Sequence, residues 1–164
     1  MTSEQSDEPG AGGKSSGVSL SSSAAVRRQT VSSRLAATWR GLRTGIWRVA
    51  VAEESMGPAL AAGDWLLLDP TPTRWPRRGS VVVFREPGSG LLAVKRVAAG
   101  PGDRVRISAG ILRLGLDQAW LLGDNGALSI DSRRYGPVGI DALAGRAWFR
   151  YAPARRIGLV RRAR

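Results

Sequence analysis

The sequence predicts a mainly β protein, with one domain of antiparallel sheet preceded by an amphipathic helix. From residue 47 onward, short apolar runs alternate with Gly, Pro and Asp, which is typical of strands joined by turns. The chain has 164 residues, which leaves room for one ordinary domain and its tails. An apolar content of 43% is sufficient for a packed core.

The first 46 residues divide into two segments of different composition. Residues 1–24 are mostly Ser, Gly and acidic residues, so we expect a disordered leader. Residues 25–46 place Val31, Leu35 and Trp39 at helical spacing with arginines at other angles, which predicts a basic amphipathic helix. A helix packed on its own domain and a helix on a membrane surface both fit this pattern. Neither a spanning helix nor a secretory signal is expected.

Eight strands are predicted after residue 46. Their bounds are 47–53, 65–68, 80–85, 91–97, 104–107, 111–114, 119–122 and 143–151. The Pro-Gly-Ser-Gly sequence at 87–90 lies between two of these runs and predicts a hairpin, so the flanking strands are antiparallel. In the second of these strands, period-two alternation places four side chains on one face. They are Leu91, Ala93, Lys95 and Val97.

Basic residues outnumber acidic residues by 25 to 13, which gives a net charge of +12. An anionic partner is therefore expected, and composition by itself does not separate lipid headgroups from nucleic acid. Residues 153–164 form a basic C-terminal tail with five arginines. We interpret this tail as a solvated charge run.

The chain contains no cysteine and no histidine. Disulfides, thiolate nucleophiles, imidazole bases and the usual zinc sites are therefore excluded. Any catalytic group must come from Ser, Thr, Lys, Asp, Glu or Tyr side chains. No cofactor is expected.

Lys95 is one of only two lysines in a chain that otherwise uses arginine. It is the only charged residue on the apolar face of its predicted strand, where desolvation lowers the pKa of an amine. An uncharged lysine can act as a general base, which arginine cannot do because its guanidinium stays protonated. A lysine that reaches solvent, or that pairs with a carboxylate, is the alternative.

The segment Ser-Met-Gly-Pro-Ala-Leu at residues 55–60 supplies a partner for that base. Ser55 follows a predicted strand and precedes a turn, so its hydroxyl can face a cleft. Serine by itself is a poor nucleophile, but a neutral lysine within hydrogen-bond reach can remove its proton and later protonate the leaving amine. A turn whose serine caps its own backbone is the alternative interpretation.

Three more segments complete a series with residues 55–60. They are an apolar strand with its preceding glycine at 79–84, a Lys-Arg-Val to Gly-Asp segment at 95–103, and a Gly-Asp-Asn to Ser-Arg segment at 123–133 with Gly-Arg-Ala at 145–147. In this order they resemble the boxes of the signal peptidase I family of serine endopeptidases. The resemblance implies a catalytic domain of coiled antiparallel β-sheets at residues 47–152.

The same resemblance implies roles for individual residues. Ser55 is implied as the nucleophile and Lys95 as the general base. Ser129 matches a second serine that hydrogen-bonds the lysine and directs it. Four residues are expected to hold the geometry of the site, namely Asp124, Asn125, Asp131 and Arg133. Two neighbours of the nucleophile, Met56 and Pro58, are expected to contact the substrate.

Some positions depart from the pattern of the family. Glu53 stands two residues before Ser55, where many bacterial members carry a small or hydroxylated residue that helps to form the oxyanion hole. The Ser55 N–H is then expected to be the main donor. Ser80 replaces an aspartate, which we expect to matter little. The lysine segment and the final segment are closely spaced, so no large accessory β domain is expected. The basic segment stands where the family has a transmembrane anchor.

The expected function is removal of N-terminal signal or leader peptides from precursor proteins by a serine endopeptidase with a Ser-Lys dyad. The resemblance implies cleavage after small residues, Ala above all, in an extended segment that adds as a strand. The expected partners are such a precursor and an anionic membrane surface, with no nucleic acid. The expected location is peripheral on a membrane or cytoplasmic.

Three alternatives stay open at this point. A soluble maturation protease, similar to those that process the nickel-type superoxide dismutase precursor, fits the same motifs. A self-cleaving repressor of the DNA-damage response shares a Ser-Met motif and a later lysine, but the first 48 residues hold no convincing helix-turn-helix. A catalytically decayed module that binds membrane or nucleic acid would account for Glu53.

Overall fold

The computed structural model describes residues 47–163. The strands in this range are β1 Trp47–Ala50, β2 Trp65–Asp69, β3 Val81–Arg85, β4 Leu92–Ala99, β5 Arg104–Ile107, β6 Gly110–Arg113, β7 Gln118–Leu122, β8 Val138–Gly139, β9 Leu143–Ala152 and β10 Gly158–Leu159. The helix α1 spans Ser132–Tyr135, and 3₁₀ helices span Glu54–Met56, Ile140–Ala142 and Ala154–Arg156. None of these helices is long and apolar enough to cross a membrane. The predicted leader (1–24) and amphipathic segment (25–46) lie outside the described residues.

Eight of the strands form one antiparallel sheet. Its order is β1-β2-β9-β3-β4-β7-β8, and β10 pairs with β9. The hairpin predicted at 87–90 joins β3 to β4, with Val82 opposite Lys95. Strands β5 and β6 form a separate two-stranded sheet. The prediction of a mainly β, antiparallel fold is therefore confirmed.

β3 lies at the centre of the core and is covered on both faces. Val81 and Val83 belong to one apolar cluster, and Val82 and Phe84 belong to another. A strand buried on both faces has a continuous apolar run instead of alternation, which is the sequence that β3 has. Burial of each such side chain stabilises the fold by about 1.5–3 kcal/mol. A third, smaller cluster of Ala99, Leu114 and Trp120 lies under the β5–β6 sheet.

The observed strand bounds differ from the predicted ones for local reasons. The first predicted strand, 47–53, ends at Ala50, because Val51 turns to bond the backbone of Asp64 and a 3₁₀ helix begins at Glu54. Leu91 was predicted to face inward, but it precedes β4 and is 47% exposed. β8 and β10 have two residues each, which is too short for a periodic signal.

The C-terminal segment folds back along β9. β10 pairs with β9, the Val160 N–H donates to the Trp148 carbonyl, and the Ala163 N–H donates to the Gly79 carbonyl. The interpretation of residues 153–164 as a solvated charge run is therefore wrong for the backbone of this segment, although most of its arginine side chains are exposed. The segment covers part of the edge of β9 that β3 leaves open.

Candidate active site

Lys95 lies in the middle of β4, opposite Val82. Strand alternation turns its side chain to the same side as Val97, into the apolar cluster of Val82 and Phe84. Only 3% of Lys95 is exposed, which contradicts the alternative that it reaches solvent. It also makes no salt bridge with any residue in the range 47–163. The amine is thus buried without an opposite charge in contact from the part of the chain that the structure describes.

Ser55 lies in the 3₁₀ helix that follows β1 and is 4% exposed. Its hydroxyl accepts a hydrogen bond from Lys95 Nζ at 2.7 Å, across 40 positions of the chain. The backbone around it is also held, because the Ser55 carbonyl accepts from the Asn125 N–H at 3.0 Å and the Met56 carbonyl accepts from the Leu60 N–H at 2.9 Å. The structure therefore brings the two predicted catalytic residues together.

The electrostatic surroundings of Lys95 favour its neutral form. Burial lowers the pKa of the Lys95 amine, and the carboxylates of Glu53, Asp131 and Glu86 offset this effect only in part. A neutral amine within hydrogen-bond distance of a hydroxyl can accept the proton of that hydroxyl. The site thus has the geometry and the electrostatics of a serine nucleophile with a lysine base.

Asp131 is fully buried beside the site and is saturated with hydrogen bonds. It accepts from the Gly123 N–H at 3.0 Å and from Arg133 through the backbone N–H, Nε and Nη2. Burial by itself would raise the pKa of Asp131, but the bonds from Arg133 and Gly123 hold it well below its usual range, and the nearby Ser129 hydroxyl adds to this lowering. Asp131 therefore stays ionised and ties α1 to the segment that follows β7.

Ser129 lies against this segment without the bond that was predicted for it. The Ser129 hydroxyl is buried and has no hydrogen-bond partner within 3.5 Å, so the expected bond to Lys95 is not made. The only side-chain hydrogen bond that Lys95 makes within residues 47–163 goes to Ser55. A Cβ on Gly123 would overlap the Ser129 hydroxyl and come within 2.5 Å of the Ser55 carbonyl oxygen. Gly123 is therefore needed for the close packing of Ser129 and Ser55.

Asp124 and Asn125 support the site in different ways. Asp124 forms a two-point ion pair with Arg96, at 2.7 Å to Nε and 2.6 Å to Nη2. Arg96 also donates to the Gly79 carbonyl at 2.6 Å. Asn125 acts through its backbone N–H on Ser55. Sequence reasoning missed Arg96 as a supporting residue, although its position next to Lys95 places it on the opposite face of β4.

Three neighbours of Ser55 differ in their exposure. Met56 is 1% exposed and packs in the apolar cluster with Leu60 and Val81, because the 3₁₀ turn directs it into the core. Its contact with substrate stays a prediction. Pro58 is exposed, in the position expected for a surface contact. Glu53 is exposed too, yet its carboxylate is near enough to affect the pKa of Lys95.

Between residues 47 and 163, no group of three or more carboxylates is arranged to hold a metal ion. What the site offers is a hydroxyl, an amine of lowered pKa, and a rigid loop around them. This set is sufficient for nucleophilic attack on an amide.

Comparison of the sequence with known proteins identifies a family. Residues 35–115 match the family described as signal peptidase, peptidase S26. The matched range includes Ser55 and Lys95 and ends before Ser129 and Asp131.

Individual relatives carry related names. The chain is 31% identical over 153 residues to a probable signal peptidase I-2 of Synechocystis, with 73% of this chain and 70% of the relative covered. It is 36% identical over 108 residues to mitochondrial inner membrane protease subunit 1 of Schizosaccharomyces pombe, with 60% and 69% covered. It is 27% identical over 152 residues to signal peptidase I of Leptolyngbya laminosa, with 72% and 75% covered.

Proposed function

The chain belongs to the signal peptidase family, peptidase S26, and we propose that Ser55 is its nucleophile and Lys95 its general base. The protein is a serine endopeptidase that removes signal or leader peptides from precursor proteins. The observation that carries the assignment of residues is the 2.7 Å hydrogen bond between Lys95 Nζ and Ser55 Oγ.

The proposed reaction uses the two side chains in sequence. Ser55 Oγ attacks the carbonyl carbon of the scissile amide while its proton passes to the neutral Lys95 amine. The resulting ammonium gives this proton to the leaving nitrogen, the C–N bond breaks, and an ester with Ser55 remains. Water then attacks the ester with Lys95 again accepting a proton, and release of the acid restores the Ser55 hydroxyl. Burial of Lys95 supports this cycle because it keeps the amine ready to accept a proton.

We assign Asp131, Arg133, Asp124 and Asn125 a supporting role. Asp131 holds the Gly123 N–H, and two residues later the Asn125 N–H holds the Ser55 carbonyl. The position of the nucleophile is thus linked by a short chain of contacts to the ion pair of buried Asp131 with exposed Arg133. Ser129 packs in the same place and is proposed to direct the lysine once substrate is bound.

The oxyanion of the tetrahedral intermediate requires hydrogen-bond donors near Ser55. We propose the Ser55 N–H as the main donor. Glu53 adds a negative charge in this neighbourhood, which opposes an oxyanion and favours a protonated lysine. Its exposure supports an outward carboxylate that solvent screens.

The proposed substrate segment is extended and has small residues, Ala above all, at the first and third positions before the cut. Among the strands of residues 47–163, β1 is the last strand at one end of the eight-stranded sheet, and it leads into the 3₁₀ helix that holds Ser55. An edge strand can accept an added strand by backbone hydrogen bonds. A peptide that pairs along β1 would therefore run toward the nucleophile. We further propose that cleavage takes place at an anionic membrane surface.

The assignment is tested with a model peptide that contains Ala-x-Ala. Ser55→Ala and Lys95→Ala should each reduce the rate of cleavage at least about 10³-fold, since neither group can replace the other. Ser108→Ala, in the exposed turn between β5 and β6, is a matched control and should cleave at the wild-type rate. Mass spectrometry locates the cut and thermal unfolding reports the fold. Turnover by a folded Ser55→Ala variant would refute the proposal.

The alternative functions make a different prediction for Ser55. The names of the relatives do not favour a dedicated maturation protease for the nickel-type superoxide dismutase precursor or a decayed binding module. A fluorophosphonate that forms a covalent adduct on Ser55 would contradict a decayed site. Failure of the reagent to label a folded protein, together with no cleavage of peptide, would support it.

A further inference from the structure

We propose that the outer face of the β5–β6 hairpin docks on a membrane surface rich in anionic phospholipid. This hairpin face is formed by Arg104, Arg106, Ile111 and Arg113, which all point away from the core and are exposed. The proposal deepens the proposed function and rests on it only in assuming that precursors are processed at a membrane. It assigns the contact to a particular surface of the catalytic domain.

The hairpin has two chemically different faces. Its inner face carries Val105, Ile107 and Leu112, which pack against the cluster that contains Trp120. Its outer face pairs Arg104 with Arg113 and Arg106 with Ile111. The inner packing holds the hairpin on the domain, so the outer face presents its three guanidinium groups from a fixed framework.

The arginines of this face lack acidic partners in the described part of the chain. None of the salt bridges within residues 47–163 involves Arg104, Arg106 or Arg113. Like charges directly opposite each other destabilise an antiparallel pair, and Arg104 faces Arg113 in this way. An external anion would remove this repulsion.

A groove beside the hairpin extends the positive surface toward the candidate active site. Its volume is about 700 Å³, and its lining includes Arg78 and Arg133 in addition to Arg104 and Arg106. The one carboxylate in the lining, Asp103, accepts a hydrogen bond from the Gly100 N–H. Arg133 also holds the buried Asp131. An anionic surface at this groove would thus lie close to the loop that supports Ser55.

Apolar exposure favours lipid over nucleic acid as the partner. Ile111 is 68% exposed within the hairpin face, and Leu116, three residues after β6, is 90% exposed. Basic residues interleaved with exposed aliphatic side chains are typical of surfaces that contact lipid headgroups and insert side chains beneath them. Signal peptides begin with a basic region, so repulsion excludes that part of a substrate as the partner of this surface.

The test compares two triple variants of the full chain that remove equal charge. One variant combines Arg104→Gln, Arg106→Gln and Arg113→Gln. The control combines Arg74→Gln, Arg77→Gln and Arg155→Gln, which are exposed arginines without salt bridges in the described range. Binding is measured by sedimentation with vesicles of phosphatidylcholine containing about 30% phosphatidylglycerol. Each arginine near a lipid surface contributes roughly fivefold to binding, so the hairpin variant should bind about 100-fold more weakly and the control much less so.

Equal losses in the two triple variants would overturn the proposal, because attraction would then depend on net charge alone. A second pair of variants tests the apolar part. Ile111→Ser should weaken vesicle binding several-fold, whereas Ile157→Ser, a comparably exposed isoleucine of the C-terminal segment, should not. Equal effects would contradict a contact at the hairpin face. Tighter binding to a DNA or RNA oligonucleotide than to the vesicles would overturn the choice of lipid.

Cleavage of a water-soluble peptide tests the catalytic assignment independently of membrane docking. The hairpin triple variant should cleave the Ala-x-Ala peptide at the wild-type rate when no vesicles are present, because its three arginines do not contact Ser55 or Lys95. If wild-type protein binds vesicles through the hairpin but does not cleave peptide, the catalytic assignment fails and docking stands. If it cleaves peptide and the hairpin variant binds vesicles normally, docking fails and the catalytic assignment stands.

Discussion

Asp64 and Lys95 are both buried ionisable side chains, and the fold surrounds them in opposite ways. In the loop before β2, Asp64 is 1% exposed and is paired with Arg150 at 3.0 Å and Arg156 at 3.4 Å. It also accepts a hydrogen bond from the Ala61 N–H at 3.0 Å. On β4, Lys95 is 3% exposed, and its only side-chain hydrogen bond within residues 47–163 goes to the neutral hydroxyl of Ser55.

The difference distinguishes Asp64, whose charge holds segments of the fold together, from Lys95, whose amine is the proposed base. Arg150 also donates to the Ala59 and Arg156 carbonyls, so the Asp64 cluster ties the segment after Ser55 to the end of β9. A buried carboxylate paired with two arginines is compensated, and it serves to hold these segments together. No carboxylate among residues 47–163 forms a salt bridge with the Lys95 amine, so burial shifts its protonation toward the neutral base. The two regions thus differ in whether a residue of opposite charge lies next to the buried group.

The largest expected effect comes from making the lysine apolar. Lys95→Met should reduce peptide cleavage at least about 10³-fold, because the base is lost. The free energy of unfolding should stay the same or rise, because methionine fills a similar volume without the cost of burying an amine. Activity assays and urea unfolding measure the two quantities. A large loss of stability in this variant would mean that Lys95 is structural and would break the comparison.

Asp64→Asn should show the reverse pattern. It leaves two arginines without their carboxylate, so we expect the free energy of unfolding to fall by about 3 kcal/mol. Cleavage per folded molecule should change less than about twofold, since Asp64 does not contact Ser55. The control is Asp69→Asn at the more exposed Asp69–Arg146 pair, separated by 3.8 Å, where the loss should stay below about 1 kcal/mol. Similar losses in both variants would contradict the argument from burial.

Gly123→Ala tests the loop after β7, which packs against the Ser55 backbone. The added methyl group would displace Ser129 and the Ser55 carbonyl, so cleavage should fall up to about 100-fold. Gly100→Ala is the control, because its Cβ would meet its nearest neighbour, Asp103 Oδ2, at 4.0 Å. Steady-state kinetics should show the loss in kcat more than in KM. An unchanged kcat would show that the position of Ser55 tolerates movement of this loop.

The smallest expected effect is a dependence of the Lys95→Met comparison on pH. The pKa of Lys95 is 10.5 in the unfolded chain and lower in the folded protein. At a pH between these two pKa values the unfolded chain binds more protons than the folded protein, so the free energy of unfolding rises with pH. The advantage of Lys95→Met over wild type in the free energy of unfolding should therefore shrink as the pH approaches 10.5. Cleavage by wild type should increase as the pH rises through the pKa of Lys95. A constant difference between the two proteins would mean that Lys95 is protonated alike in both states.

Much of the fold was predictable because its signals are local. Alternation on β4 located Lys95 on an apolar face, and the glycines at 87–90 located the hairpin. The candidate pair of Ser55 and Lys95 came from two segments that each have a recognisable pattern. The contacts that support Ser55 and Lys95 were harder to predict from the sequence. Ser129 was expected to bond Lys95, yet its hydroxyl has no partner within 3.5 Å.

Residue type and spacing by themselves determined that this chain is mainly β, that it lacks imidazole and thiol chemistry, and that one serine and one lysine are candidates for catalysis. Only the tertiary structure decided that Met56 packs inward, that Arg96 holds Asp124, and that Asp64 is neutralised by Arg150, 86 positions away. The reason is physical. Hydrophobic periodicity shows which face of a strand is buried. The partner of a buried charge depends instead on which distant segments the fold brings into contact.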